Sequence, residues 1–196
     1  MRKKTIVGVT GGIGSGKTII CKALEKMGYP VFYSDQAGRT LLKENEDLKA
    51  EIKTIFGSVV FNSNNEIDRK ALGEIVFKNP TKLDVLNKMI HPKVKACFEN
   101  WVNEQNTEIV FKESAILFET NDQSCTFVCH VFAGIEVRIS RVMQRDGVTK
   151  EAVLDRMKNQ WTDEQRKEKS HFNISNNNSD LVIPQLVSMI NKIENP

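Results

Sequence analysis

The chain has 196 residues, 40% of them hydrophobic and 27% charged, which suits one compact core with room for an insertion. Its 28 Lys and Arg residues nearly balance its 25 Asp and Glu residues, so the charge predicts no nucleic-acid partner. No apolar run approaches the roughly 20 residues that cross a bilayer and no signal-peptide pattern is present, so we expect a cytoplasmic protein that needs neither a membrane nor an obligate protein partner.

Short apolar strands alternate with helices along most of the sequence. Strands are predicted at Thr5–Val9, Val31–Tyr33, Ile109–Lys112, Thr126–Phe132 and Phe172–Ser175. Helices are predicted at Lys17–Met27, across most of residues 36–106, from Glu136 to Gln144 with a polar helical run on to Glu168, and around Leu186–Ile193. This alternation predicts an α/β fold in which helices cover both faces of a five-stranded parallel sheet.

A phosphate-binding loop lies between the first strand and the first helix. Its residues are Gly11, Gly12, Ile13, Gly14, Ser15, Gly16, Lys17 and Thr18, which match the pattern G-x-x-x-x-G-K-[ST]. Backbone N–H groups in such a loop converge on phosphate oxygens at the positive end of the helix. Lys17 is expected to reach the β- and γ-phosphates, and the Thr18 hydroxyl to bind Mg²⁺. The sequence therefore predicts a three-layer P-loop NTPase sandwich that binds a nucleoside triphosphate.

Two carboxylates follow predicted strands at the edge where parallel sheets bind their ligands. Asp35 comes just after the second strand, where it can either accept a proton from an attacking hydroxyl or cap the helix expected from Gln36. Glu113 directly follows the third strand, where it is either a carboxylate that orders Mg²⁺-bound water or a solvated loop acid.

Three arginines recur at helical spacing in the predicted helix after the fourth strand. Arg138, Arg141 and Arg145 lie at i, i+3 and i+7, so one helix presents three guanidinium groups on one side. Such a cluster suits a lid, from about residue 138 to 168, that stabilises charge during phosphoryl transfer. A solvated basic face is the alternative interpretation.

Other nucleotide-binding classes fit less well. Asp35–Gly38 reads D-x-x-G, but the near match to N-K-x-D at Asn191–Glu194 falls inside a predicted helix and ends in Glu, which disfavours a GTPase-like switch. A nucleic-acid motor needs a larger chain and a basic groove. A kinase of a small hydroxylated molecule fits best, and a nucleoside monophosphate kinase remains one candidate.

The four cysteines do not predict a metal site. Cys125 and Cys129-His130 superficially suggest a zinc knuckle, but no second ligand pair follows at zinc spacing. Cys129 lies in a predicted buried strand, where a reduced cysteine acts as a small hydrophobic residue.

The chain resembles the dephospho-CoA kinase family from end to end. The blocks that carry the resemblance are Thr10–Thr18, Ser34-Asp35, Phe56-Gly57, Ile67-Asp68-Arg69 with Leu72 and Val76-Phe77, His91-Pro92, Glu113–Glu119, Arg141 with Arg145, Arg156 with Gln160, and Asn176. The phosphate loop is common to many kinases. The Asp-Arg, His-Pro and Leu-Phe-Glu blocks in this order are more specific.

The resemblance implies ATP-dependent phosphorylation of the ribose 3′-hydroxyl of dephospho-CoA, the last step of coenzyme A synthesis, with Mg²⁺ as cofactor. It implies Asp35 as the base, Arg141 as a catalytic residue beside Lys17, and Arg145 as a ligand of the nucleotide. Residues 1–35 and 107–196 would form the nucleotide-binding core. Residues 36–106 would form a helical insertion that binds the acceptor through residues including Arg69 and His91, although His91 can equally pin a helix bend at Pro92.

The chain departs from the pattern of the family in several places. Tyr33-Ser34-Asp35 stands where Asp-Ala-Asp is common, Glu113 replaces the usual Asp, Ala115 replaces Pro, and Ser170-His171 stands where Ala-Asp is common. Lys17, Asp35 and the arginines are retained, so activity is expected, and the Mg²⁺ geometry near Glu113 is the feature most affected.

Overall fold

The structure, a computed structural model, describes residues 4–195. The chain divides into two compact units: residues up to Tyr33 and from Gln105 form one, and Ser34–Glu104 form the other. Both divisions fall two residues before those expected from the sequence. The boundary at Tyr33 precedes the expected one at residue 35 because a helix begins at Ser34, directly after a strand that ends at Tyr33.

The first unit is built on a parallel sheet. Its strands are β1 (Thr5–Thr10), β2 (Val31–Tyr33), β3 (Ile109–Glu113), β4 (Phe127–Phe132) and β5 (Phe172–Ser175). Within residues 4–195 this sheet has five strands in the order β2-β3-β1-β4-β5, and each neighbouring pair is parallel. The predicted five-stranded parallel sheet is therefore confirmed, and β1 lies at its centre, where Val7 and Val9 are fully buried.

Helices surround the sheet and form the second unit. They are α1 (Lys17–Lys26), α2 (Ser34–Glu44), α3 (Glu46–Phe56), α4 (Arg69–Val76), α5 (Pro80–Glu104), α6 (Ile135–Asp146), α7 (Lys150–Lys158), α8 (Asp163–Lys169) and α9 (Val182–Glu194), with a 3₁₀ turn at Ser58–Val60. In the first unit, Ile20 and Leu24 of α1 and Leu186 and Ile190 of α9 join one core cluster with the strands. The spacing of four residues within each pair places its two members on one helix face.

The polar run that the sequence predicts as continuous helix to Glu168 is interrupted between α7 and α8. Thr162 begins α8 with a capping box: its hydroxyl accepts a hydrogen bond from the N–H of Gln165, and Gln165 Oε1 accepts one from the N–H of Thr162. This arrangement satisfies backbone donors that a helix start leaves unpaired, so a new helix begins here.

The second unit is helical, and a cluster of buried side chains forms its core. The cluster consists of Leu48, Ile52, Phe56, Val60, Leu72, Val76 and Leu86. Because α2 already begins at Ser34, Asp35 lies in its first turn, so the interpretation of Asp35 as an N-cap is wrong. The longest helix, α5, continues through Pro92. None of the helices among the described residues has the length and apolar content that a bilayer crossing requires.

Candidate active site

The carboxyl edge of the sheet brings the phosphate loop and Glu113 together. The phosphate loop leaves β1 at Gly11, β3 ends at Glu113, and Asn176 directly follows β5. The carboxyl ends of parallel strands meet at one edge of a sheet, where ligands of this fold class bind. The predicted loop and the predicted Glu113 therefore lie at the same edge of the sheet.

Left-handed glycines shape the phosphate loop. Gly14 has a φ of 78° and Gly16 a φ of 91°, which side-chain-bearing residues rarely adopt. A Cβ on Gly16 would overlap the side-chain amide of Asn176. Within the described residues no side chain caps α1 at Gly16. The first N–H groups of α1 can therefore bind an anion in the loop, which fits a nucleotide phosphate.

Side chains hold the loop in place. Lys17 Nζ donates to the carbonyl of Gly11 at 2.8 Å, and Asn176 Nδ2 donates to the carbonyl of Ser15 at 2.8 Å. The N–H of Ile13 donates to Gln160 Oε1, also at 2.8 Å. These bonds preorganise the loop, so that phosphate binding need not order it.

Arg141 extends from α6 towards the end of the loop. Its Nη2 donates to Asn178 Oδ1 at 3.1 Å, and its Nη1 lies 3.6 Å from the position that a Cβ on Gly16 would occupy. Nη1 is buried and has no hydrogen-bond partner among residues 4–195. Because buried polar groups normally find a partner, this nitrogen fits a phosphate oxygen bound beside the loop.

Arg145 has a different setting. Its Nε and Nη2 donate to the two carboxylate oxygens of Asp146 at 2.7 and 3.1 Å, and Arg156 donates to the same carboxylate at 2.8 Å. The hydrogen bond from Arg145, together with that from Arg156, lowers the pKa of Asp146 to about 2. The side chain of Arg145 is 64% exposed. The three arginines therefore do not share one environment, and nucleotide binding by Arg145 stays a prediction.

Glu113 is a buried carboxylate at the end of β3. It lies opposite Val9 of β1 and Tyr33 of β2 in the strand register, and it is 7% exposed. Burial, together with the negative charge of Glu113, raises the pKa of the Cys21 thiol, whereas the charge of Lys17 acts in the opposite direction. The charges of Glu113 and Lys17 thus both act on the Cys21 side chain of α1.

The remaining predicted site residues belong to the second unit. Asp35 is exposed in the first turn of α2, Arg69 is the exposed first residue of α4, and His91 is half-buried in α5 before Pro92. The Asp68 side chain caps α4 by accepting from the N–H groups of Lys70 and Ala71. Asp68 thus fixes the start of the helix that carries Arg69.

The Cys125–His130 segment has a structural role. Cys129 is fully buried in β4, and burial raises the pKa of its thiol to about 12. Burial likewise raises the pKa of Cys125 to about 11, so both remain neutral thiols near pH 7. Among the described residues no group of three His, Cys, Asp or Glu side chains could hold a metal ion. His130 instead contacts Asp163 at 3.2 Å.

Comparisons with known proteins agree with this geometry. The sequence model of the family described as Dephospho-CoA kinase matches residues 5–181. The chain belongs to the dephospho-CoA kinase family. A family member from Chlorobaculum tepidum is 36% identical over 200 residues, which cover 98% of this chain and 94% of that protein. Another, from Bacteroides fragilis, is 32% identical over 188 residues, which cover 94% of this chain and 90% of that protein.

Solved structures extend the likeness to the fold. A crystal structure from Thermus thermophilus has a TM-score of 0.86 at 29% identity, with 98% of this chain and 97% of that chain covered. The dephospho-CoA kinase from Campylobacter jejuni has a TM-score of 0.65 at 27% identity, with coverages of 97% and 98%. The resemblance of the sequence to the dephospho-CoA kinase family and the predicted fold class are both confirmed.

Residues that hold the loop in this member of the dephospho-CoA kinase family were missed by sequence reasoning. Arg138 entered only as part of the arginine cluster, but its Nε donates to the carbonyl of Ile13 at 2.9 Å and its Nη1 to Asp163 at 2.7 Å. No sequence pattern marks Asp163, and the pattern around His130 suggests only a metal ligand. The separation of 25 positions between Arg138 and Asp163 leaves no local signal for the pair.

Replacing Arg141 by Lys tests its predicted place beside the transferred phosphate. Lys cannot reproduce the planar fork of donors, so we expect kcat to fall about 10- to 100-fold, nearly as far as in Arg141→Ala. Lys158→Ala, which removes an exposed cation of α7, is the control and should leave kcat within about 2-fold of wild type. Steady-state ADP release measures both. A fully active Arg141→Lys variant would show that Arg141 makes no forked contact with phosphate.

Proposed function

We propose that the protein transfers the γ-phosphoryl group of ATP to the ribose 3′-hydroxyl of dephospho-CoA, giving coenzyme A and ADP. The observation that carries this proposal is a preorganised phosphate loop in a chain that matches the dephospho-CoA kinase family over residues 5–181. Phosphoryl transfer asks an enzyme mainly to position its substrates and to stabilise charge. The loop, Lys17 and Arg141 would position the donor nucleotide and stabilise the charge on its phosphates.

The donor side of the proposed site is built by the first unit. Backbone N–H groups from Gly11 to Gly16 and the start of α1 would bind the β- and γ-phosphates, as P-loops do. Lys17 and Arg141 would bring two positive charges to the phosphoryl group that moves. To reach the nucleotide, the 64% exposed side chain of Arg145 would have to leave its two hydrogen bonds with Asp146.

The residues at the end of β3 and the start of α1 fit Mg²⁺. Thr18 is exposed in the first turn of α1, and the buried Glu113 ends β3. Both offer the oxygen ligands that Mg²⁺ prefers, with Glu113 acting through a water because Mg²⁺ keeps much of its hydration shell. When bound, the ion would neutralise charge on the β- and γ-phosphates.

The acceptor side is proposed for the second unit, with Asp35 as the base. Asp35 is exposed in the first turn of α2, which begins directly after β2. A carboxylate there would orient the hydroxyl by accepting its hydrogen bond and would take its proton as the bond to phosphorus forms. Arg69 and His91 are proposed as acceptor ligands, since a cation and an imidazole suit the phosphates of dephospho-CoA.

An acceptor panel tests this function. The purified chain is incubated with ATP and Mg²⁺ and, separately, with dephospho-CoA, its 3′-deoxy analogue, or AMP; GTP and GDP binding is measured in parallel. We expect ADP release with dephospho-CoA only, since the analogue lacks the accepting hydroxyl. Faster phosphorylation of AMP would favour a nucleoside monophosphate kinase. Tight GTP and GDP binding without transfer to any acceptor would favour a switch. Turnover of the 3′-deoxy analogue would show that an oxygen other than the ribose 3′-hydroxyl accepts the phosphoryl group.

A further inference from the structure

Both backbone polar groups of Ile13, inside the phosphate loop, bind side chains from the α6–α8 region. Its N–H donates to Gln160 Oε1 at 2.8 Å, and its carbonyl accepts from Arg138 Nε at 2.9 Å. Arg138 is buried, and its guanidinium lies so close to Gly12 that a Cβ on Gly12 would overlap it. The backbone of Arg138 is similarly close to Gly14. The conformation of the loop therefore depends on where Arg138 is held.

Asp163, the first residue of α8, holds the guanidinium of Arg138. Asp163 Oδ2 accepts from Arg138 Nη1 at 2.7 Å, and Asp163 Oδ1 lies 3.2 Å from His130 Nε2. His130 is 1% exposed in β4, and its Nδ1 lies 3.3 Å from Asn173 Oδ1 in β5. One carboxylate thus connects α8 to the sheet on one side and to Arg138 on the other.

The surroundings of Asp163 keep it charged. Burial raises its pKa, but the hydrogen bond from His130 and the positive charges of Arg138 and Arg166 outweigh burial, so the pKa lies below its ordinary value. An ionised acceptor makes shorter and stronger hydrogen bonds to a guanidinium than a neutral one does. The side chains of Arg138 and Asp163 are 9% and 24% exposed, so solvent screens this pair less than it screens the exposed ion pair of α7.

We propose that Arg138 and Asp163 are positioning residues for nucleotide binding. Arg138 fixes the carbonyl of Ile13, and with it the phosphate-binding conformation of the loop, while Asp163 fixes Arg138 relative to the sheet. Together with His130 these residues form what we term the loop brace. Both positioning residues act through the loop backbone. The proposal rests on the proposed function only in that the loop binds ATP.

Loosening the loop brace lowers the fraction of molecules whose loop is ready to bind phosphate. The apparent dissociation constant rises in inverse proportion to that fraction. ATP and ADP bind through the same loop, so both should lose affinity by a similar factor, whereas kcat at saturating ATP and KM for the acceptor should change little. A purely structural role predicts a different result, namely a lower melting temperature with unchanged nucleotide affinity of the folded protein.

The test is calorimetric titration of the full chain with ADP. The variants are Asp163→Asn, Arg138→Gln and the double variant. We expect the dissociation constant to rise about 10-fold in each single variant, with KM for ATP rising in parallel. Because Asp163 acts through Arg138, the double variant should match Arg138→Gln within about 2-fold. The matched control is Asp155→Asn, which breaks an exposed pair with Lys158 on α7 and should bind ADP as wild type does.

If Asp163→Asn does not fold, Arg138→Gln still tests the proposal. When Arg138 is removed, Asp163 keeps His130 and Arg166 as neighbours, at 3.2 and 4.0 Å. Folded variants that bind ADP as tightly as wild type would overturn the proposal, as would a double variant whose loss is the product of the two single losses.

Wild-type turnover of dephospho-CoA, measured on the same preparation, separates the two proposals. Weakened ADP binding in the variants without any wild-type turnover would contradict the proposed function and support the loop brace. Wild-type turnover together with unchanged ADP binding in folded variants would contradict the loop brace alone. A wild-type protein that binds no ADP would overturn both.

Discussion

Replacing Lys17 by Ala is expected to lower turnover at saturating ATP by at least about 100-fold. The variant also loses the hydrogen bond from Lys17 Nζ to the carbonyl of Gly11, but Gln160 and Asn176 still hold Ile13 and Ser15, so the rest of the loop should keep its conformation. The variant loses the ammonium group that is proposed to face the β- and γ-phosphates, and one such contact in a water-excluded site lowers a barrier by roughly 3–4 kcal/mol. The measurement is kcat from ADP release with dephospho-CoA as acceptor.

Lys22→Ala is the matched control for this variant. Lys22 lies on the same helix, five residues beyond Lys17, and its side chain is exposed. Removing it changes the net charge equally but removes no proposed phosphate contact, so kcat should stay within about 2-fold of wild type. Near-normal turnover of Lys17→Ala at saturating ATP would reject the proposed role of the loop lysine.

The phosphate loop and the sheet could be predicted from the sequence because their signals are local. The loop needs glycines at fixed positions, and Gly14 and Gly16 do adopt left-handed conformations. The strands are short β-branched runs between helical segments, and a parallel sheet follows from that alternation. Glu113 could be placed at the carboxyl edge for the same reason, since it comes at the end of one such run.

The loop brace could not be predicted because its contacts join distant parts of the chain. His130 and Asp163 are 33 positions apart, and Arg138 reaches Ile13 across 125 positions. Each residue has an ordinary local interpretation: Arg138 as one of three arginines on a helix, His130 as part of a cysteine-containing strand. The packing of α8 against β4 brings Asp163 to His130, a contact that no local pattern marks.

A local signal does mark the break between α7 and α8. Thr162-Asp163-Glu164-Gln165 has the spacing of a capping box, which marks a new helix start and would have separated α7 from α8. The start of α2 at Ser34 is different, because it follows β2 without a turn residue to announce it. The placement of Asp35 in a first helical turn therefore required the structure.

Replacing Asp35 by Asn is expected to lower turnover roughly 10²- to 10⁴-fold, the usual contribution of a general base. Asn keeps the size of the side chain and one acceptor oxygen, so it can still orient the ribose hydroxyl, but it cannot take the proton. ATP affinity should remain close to wild type, because the proposed phosphate ligands lie in the loop and on α6. Acceptor-dependent ADP release measures the turnover, and titration with ATP in the absence of acceptor measures the ATP affinity.

Asp47→Asn is the matched control, since Asp47 also lies in the first turn of a helix of the second unit, α3. In both variants the lost interaction with the helix dipole is worth about 0.3–1 kcal/mol, which corresponds to a shift in Tm of at most about 4 °C for a chain of this size. The two variants should therefore be similarly stable, and only Asp35→Asn should lose turnover. If Asp35→Asn were as active as Asp47→Asn, Asp35 would contribute only to the start of α2, and the proton would have to leave by another route.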